Sequence, residues 1–356
     1  MHLVVDAVAV RSGSAGIVVE HLLDGWTQLP HDDRITVLAG PEGLAFTPPA
    51  DATVVTLDTG LPGAAGKAWL RSGAVRRAAR RLRADAVLEG VPAAGLAGAR
   101  VPRGVILYDL RHELRPHQFS RATRVARRVS WAWSMERADA IFTISERTRS
   151  DLADLHPRWA GRASAAVLGS DHAERWPQPA PDPAAPYALA FGHFANKNAD
   201  AVVEGWARFC ESDDRWRLRL VGMGAADRAA ATAEVERLGL SHRITLMPWL
   251  DDAEFARCFV DAGLVIFPSD FEGFGLPAAE ALRLGIPTVI SEDPALLEVT
   301  GGHAVVAAGV SPEALAEAYH TAIATTPEQR RAGREFAEAF TWRRTAEVVR
   351  RGLAQR

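Results

Sequence analysis

Two series of short Val-, Ile- and Leu-rich runs, with longer amphipathic stretches between many of them, constrain what this chain can fold into. The first series is HLVVDAV (2–8), RITVLAG (34–40), DAVLEG (85–90), GVILYDL (104–110) and DAIFTIS (139–145). The second is YALAFG (187–192), WRLRLVG (216–222), RITLMPW (243–249), GLVIFPS (263–269) and TVIS (288–291). Continuous apolar runs of this length read as strands buried on both faces. Helical stretches such as 198–209, 225–239, 252–259 and 277–285 supply the crossovers that parallel strands require. The pattern predicts an α/β fold with two doubly wound parallel-sheet domains, and 356 residues suffice for two cores. Between the series, ERWPQPAPDPAAP (174–186) holds five prolines, which remove backbone donors and favour extended chain. The expected domains are therefore 1–173 and 187–340, joined by a linker at 174–186. The last helical stretch, 341–356, has no strand after it and is expected to pack back on the first domain.

Composition excludes several classes. A formal charge of -3 gives no basic excess for nucleic acid, so any anion site must be local. Cys210 and Cys258 are the only cysteines, with no metal-ligand spacing around them, so neither a disulfide framework nor a zinc site is expected. MHLVVDAVAV reads as a first strand, because it lacks a basic leader and is interrupted by Asp6. A cytoplasmic location follows as the expectation. The only lysines are Lys67 and Lys197.

FEGFGLPAAEALRLGIP (271–287) is the stretch richest in chemistry. Gly273 and Gly275 permit close ligand approach, Pro277 suits a first helical position, and Gly285 with Pro287 marks the helix end. A glycine loop that feeds a helix N-terminus is suited to a phosphate or diphosphate. Glu280, read as lying in the first helical turn, can accept hydrogen bonds from a vicinal diol such as ribose. Glu272 can bind hydroxyls of a second sugar across the phosphates. Read singly, Glu280 complements a helix dipole and Glu272 is a solvated loop acid; the combination is more specific.

EGFGLPAAEA with GIPTVIS resembles the paired-glutamate donor motif of the retaining GT-B glycosyltransferases, specifically glycosyltransferase family 4, the group 1 glycosyl transferases. GHFANKN, the LVG turn with Gly222 and Gly224, and RADAIFTISERTRSDL extend the resemblance over most of residues 100–300. The resemblance implies two Rossmann-like domains facing across a cleft, with transfer of a mannose-type or other hexose from a nucleotide donor to an acceptor hydroxyl. It implies that Glu280 binds the ribose and that Glu272 contacts donor-sugar hydroxyls. Amides around Gly273, Phe274, Gly275 and Leu276 would lie near sugar and diphosphate, and Lys197 would neutralise the diphosphate. Neither metal nor other cofactor is implied.

The match is imperfect at two places, and a third stretch is a weaker candidate. Gly192 is followed by His193 where many relatives carry arginine. Tyr108 stands where a histidine is common, followed by the candidate catalytic Asp109; His112 reads as a surface histidine. RSGSAG ends at Gly16, whose amide is a candidate donor contact, although an ordinary strand-to-helix turn explains it equally well. Basic stretches at 71–83 and 121–137, the latter with Trp131 and Trp133, suggest either a solvated face or peripheral attachment at the inner membrane face. Two rivals differ in class: a non-catalytic nucleotide-sugar-binding relative, and a nucleotide-sugar epimerase.

Overall fold

The computed structural model describes residues 1–58, 69–92, 101–182, 184–193 and 195–355; Lys67, Pro183 and Phe194 lie outside them. Two compact units result, Met1–Gly169 with Thr341–Arg356, and Ser170–Phe340.

Seven strands of the first unit are β1 (His2–Asp6), β2 (Arg34–Ala39), β3 (Thr53–Thr56), β4 (Ala86–Glu89), β5 (Arg103–Leu107), β6 (Ala140–Thr143) and β7 (Ala163–Ala165). They lie in the order β3-β2-β1-β4-β5-β6-β7, and every neighbouring pair is parallel. The helix Ser14–Thr27 buries Val18, Val19, Leu22, Leu23 and Trp26, a stripe at helical spacing. Against it packs the helix Trp342–Ala354. Gly25 makes the approach close: a Cβ there would sit 2.2 Å from the Trp342 carbonyl oxygen.

Asp33 ties these elements together. Its carboxylate, only 1% exposed, accepts from Arg350 Nε at 2.7 Å, the Met1 ammonium at 2.9 Å and Trp26 Nε1 at 3.2 Å. Burial alone would raise its pKa, but the bonds from Arg350, the ammonium and Trp26 outweigh it and hold the value at about 2. A depressed folded-state value means that the contribution is present above the ordinary aspartate value of 3.8 and is lost as pH falls toward 2. Asp33→Asn is expected to cost roughly 2 kcal/mol at pH 7 and much less near pH 2, measured by urea unfolding across that range.

The second unit has β8 (Tyr187–Phe191), β9 (Arg217–Val221), β10 (Ile244–Leu246), β11 (Leu264–Phe267), β12 (Thr288–Ile290) and β13 (Val305–Val306). Their order is β10-β9-β8-β11-β12-β13, again all parallel. The chain winds outward from β8 through β9 to β10, then returns to β11 and winds the other way. Between β8 and β11 the winding reverses, which is where open α/β sheets leave a crevice at the carboxyl ends of their strands. Trp206, Phe209, Leu218, Leu220, Leu264, Ile266 and Tyr319 are among the side chains filling the core on one face.

Residues 174–182 and 184–186, expected to link the units, lie inside the second. The turn Asp171–Arg175 is held to the helix Leu276–Arg283 by Glu174 Oε1, which accepts from Arg283 Nε at 2.7 Å. Arg283 also donates to the Ala337 carbonyl at 2.7 Å, so the start of the proline-rich stretch is fixed to the body of this unit.

Candidate functional site

At the carboxyl ends of β8 and β11, two loops are joined by side-chain bonds. Asn196, in the 3-10 turn Ala195–Lys197 after β8, donates from Nδ2 to Ser269 Oγ and to the Phe271 carbonyl, both at 2.9 Å. Ser269 returns a bond to the Asn196 carbonyl at 2.8 Å, and Asn198 reaches the Pro268 carbonyl at 2.8 Å. The Asn196 and Ser269 side chains are buried, and these bonds satisfy them. The consequence is a fixed place for Lys197. Its Nζ lies 2.5 Å from Glu272 Oε1 and 4.1 Å from the centroid of the Phe267 ring. The lysine is only 6% exposed, so the ammonium sits in a largely dry setting against the Glu272 carboxylate and the Phe267 ring. Asp293 supports the loop from β12: it accepts from the Glu272 amide at 3.3 Å while capping its own helix through Ala295 N at 2.9 Å.

Gly275 begins the helix Leu276–Arg283 with φ +99°, a conformation L side chains rarely adopt. A Cβ there would also meet Leu296 Cδ2 at 2.4 Å. Pro277 is the second helical residue and Glu280 the fifth, so two expectations are corrected: Pro277 does not open the helix, and Glu280 stands in its second turn. Helix-dipole effects fall off beyond the first turn, which weakens the plain capping explanation of Glu280. Instead its side chain is buried and its Oε1 lies 2.9 Å from His172 Nε2. Phe274 is buried, 6.2 Å from Phe340 between ring centroids, so the side chain of the aromatic in the glycine turn is a core group.

Gly192, immediately after β8, donates its amide to the Val221 carbonyl at 2.8 Å, and a Cβ on it would strike Leu220 and Met223. His193 packs over Gly222 and lies 5.1 Å between ring centroids from Trp249, a residue 60% exposed in the stretch after β10. Gly273 stands in the same loop as Glu272, and Leu276 is the first residue of the following helix. Thus Gly192, His193, Lys197, Glu272, Gly273, Phe274, Gly275, Leu276 and Glu280 all belong to the second unit, on the loops after β8 and β11 and on the helix Leu276–Arg283.

Asp109 and Gly16 belong to the first unit. Asp109 Oδ1 accepts the Arg111 amide at 2.8 Å, an Asx turn that starts the short helix Arg111–Leu114. The Gly16 amide is donated to the Arg11 carbonyl at 3.1 Å, inside the first turn of its helix. Tyr108 donates its phenol to the Gly90 carbonyl at 2.7 Å, and desolvation pushes its pKa upward, so it is a neutral donor. His112 is corrected from a surface residue to a buried one: it is 2% exposed and lies edge-on to Trp131 at 4.6 Å, because the helix Arg121–Arg137 covers it. Burial lowers its pKa. Asn196, Asp293, His172 and Trp249 join the site only in the folded chain. Asn196 adjoins Lys197 in the NKN run and was within reach; the others stand in no motif and are brought in by folding.

Among the described residues, no group of three or more His, Cys, Asp or Glu side chains is arranged to hold a metal ion, and no helix is long and apolar enough to cross a membrane.

The solved structures decide the fold. The whole chain superposes on sucrose-phosphate synthase from Thermosynechococcus elongatus with a TM-score of 0.75 at 16% identity, covering 98% of that chain. It superposes equally fully on Anabaena Alr3699/HepE in complex with UDP and glucose, with a TM-score of 0.76 at 17% identity, covering 100% of that chain. The chain has the GT-B fold. Residues 173–339 of this GT-B chain match the model for glycosyl transferases group 1. The chain is 30% identical over 218 residues to the GDP-mannose-dependent alpha-(1-6)-phosphatidylinositol dimannoside mannosyltransferase of Mycobacterium tuberculosis, strain H37Ra, covering 59% of this chain and 52% of that protein. It is 28% identical over 185 residues to O-antigen chain mannosyltransferase B of Escherichia coli, covering 49% of each. The chain thus spans about half the length of these curated relatives.

Proposed function

We propose that this GT-B chain is a retaining glycosyltransferase that moves a hexose from a nucleoside-diphosphate sugar to an acceptor hydroxyl without a metal. The observation that carries the reading is the Lys197–Glu272 pair, fixed where the winding of the second sheet reverses, with the buried Glu280 on the helix that follows. Cleavage of the bond from the anomeric carbon to phosphate oxygen leaves negative charge on the departing diphosphate. Lys197 and the amides at the start of the helix Leu276–Arg283 offset that charge. The acceptor oxygen bonds to the anomeric carbon from the leaving-group side, and its proton passes to the departing phosphate oxygen. Glu272 orients sugar hydroxyls and Glu280 the ribose diol. Trp249, large, exposed and beside His193, suits stacking of the base. Mannose is the first hexose we propose, since both curated relatives named above are mannosyltransferases.

We place the protein peripherally on an anionic membrane face. The helix Arg121–Arg137 exposes Val125 (63%), Val129 (55%) and Trp133 (36%) at successive four-residue steps, flanked by the exposed Arg121, Arg124 and Arg128.

One assay tests both. UDP-, GDP-, ADP- and dTDP-hexoses are supplied in EDTA with alkyl glycosides or lipid-linked sugars as acceptors, with or without phosphatidylglycerol vesicles, and anomeric protons are followed by NMR. Free nucleotide plus a glycoside with the donor's anomeric configuration is expected, with protein sedimenting with the vesicles. Interconversion of two nucleotide sugars identifies an epimerase, and donor binding with no turnover on any acceptor identifies a non-catalytic relative. Protein that stays in the supernatant with phosphatidylglycerol contradicts the membrane placement.

A further inference from the structure

We propose that His172 is a positioning residue for donor binding: it holds the Glu280 carboxylate in the one orientation that accepts a ribose diol. The inference rests on the reading of Glu280 as the ribose ligand and adds to it a residue that belongs to neither the glycine loop nor its helix. His172 lies in the 3-10 turn Asp171–Arg175, 108 residues away from Glu280 in sequence, and the two side chains are 5% and 6% exposed. The ring Nε2 stands 2.9 Å from Glu280 Oε1. A carboxylate only accepts, so Nε2 carries the proton of this bond. The His172 ring also meets Trp176 edge-on at 5.6 Å, and Trp176 in turn packs on Phe259 at 5.3 Å and Phe255 at 5.9 Å. The imidazole thus contacts both an aromatic cluster and the carboxylate.

A purely structural role, tying the turn to the helix, is already filled by another contact. Glu174 of the same turn binds Arg283 of the same helix at 2.7 Å, one helical turn beyond Glu280. What His172 adds is a constraint on Glu280 itself. Among the described residues, Glu280 Oε2 accepts no hydrogen bond, whereas Oε1 is held by the imidazole. A glutamate has three rotatable side-chain bonds, and fixing one oxygen removes most of that freedom before the ligand arrives. The other oxygen and the remaining lone pair of Oε1 then face a ligand bearing two adjacent hydroxyls. The selectivity that follows is for ribose over 2′-deoxyribose.

The test uses the full chain and calorimetric titration of GDP, UDP and ADP, each against its 2′-deoxy counterpart. Wild type is expected to bind the ribo form of its preferred nucleotide about tenfold more tightly, the effect of one hydrogen bond to a charged acceptor. Glu280→Ala brings that ratio close to one. His172→Phe keeps the ring packed against Trp176 but removes the donor, and is expected to bring the ratio close to one as well. The double variant is expected to be no worse than Glu280→Ala alone, because the two act through one carboxylate. His172→Gln, whose amide nitrogen reaches a position similar to Nε2, is expected to restore most of the ratio. If His172→Phe weakens both nucleotide forms equally and the ribo preference survives, the residue is structural only and the positioning role is overturned. If Glu280→Ala itself leaves the ribo preference intact, the ribose reading of Glu280 fails and the role of His172 falls with it. The two failures are told apart by which single variant retains the preference.

Discussion

Lys197→Ala is expected to lower kcat/KM for transfer by about 100- to 1,000-fold, the range seen when a preorganised charge stabiliser is removed from a transition state. The expectation follows from where the ammonium sits. It is nearly buried, stands over the Phe267 ring, and touches Glu272 at 2.5 Å, so it neither wanders nor exchanges freely with bulk water. A charge fixed before reaction needs no reorganisation when the leaving diphosphate gains its negative charge, and low local polarity strengthens the attraction. The alanine variant also leaves the Glu272 carboxylate with Asn196 Nδ2, at 3.3 Å, in place of its counter-ion. Single-turnover rates should therefore fall more than donor affinity does. Lys197→Arg should recover only part of the rate, since a planar fork cannot occupy the site of a compact ammonium. A rate within a few-fold of wild type for the alanine variant would remove Lys197 from the mechanism.

Glu272 and Glu280 are expected to separate in binding and turnover. Glu280→Ala should weaken nucleotide binding by about 10- to 100-fold, the loss of one or two hydrogen bonds to a buried carboxylate. Glu272→Ala should leave binding of the free nucleoside diphosphate within a few-fold while lowering transfer by about 100-fold or more, because its partner hydroxyls belong to the sugar being transferred. The measurements are calorimetric Kd for the nucleoside diphosphate and steady-state kcat for transfer, taken on both variants. Similar small effects of both substitutions in both assays would mean that the pair is structural.

Much of this arrangement is legible in the chain itself. The central strands β1, β2, β4, β5 and β6, and β8, β9, β11 and β12, coincide with apolar runs, since a strand covered on both faces needs an unbroken hydrophobic stretch, and the edge strand β10 falls in such a run as well. The other edge strands, β3, β7 and β13, carry no such signal: every residue in them is exposed or half-buried, so no hydrophobic period marks them. Glu272, Gly275 and Glu280 were visible because a glycine turn, a proline and two acids occur within one short stretch. Their partners were not. His172 reaches Glu280 across 108 residues and Asn196 reaches Ser269 across 73, distances over which no local pattern carries information. Nothing local signals the burial of His112, which stands between the charged Arg111 and Glu113; the Arg121–Arg137 helix, folded over it, explains it.

The measurement that tests the central claim most directly is calorimetric titration of the full chain with UDP-, GDP-, ADP- and dTDP-hexoses in EDTA, repeated on Glu280→Ala. One-to-one binding confined largely to one base, and weakened about tenfold or more in the variant, is the result expected of a donor site in the second unit. Folded protein that is silent across the panel, or that binds equally well without Glu280, would contradict it.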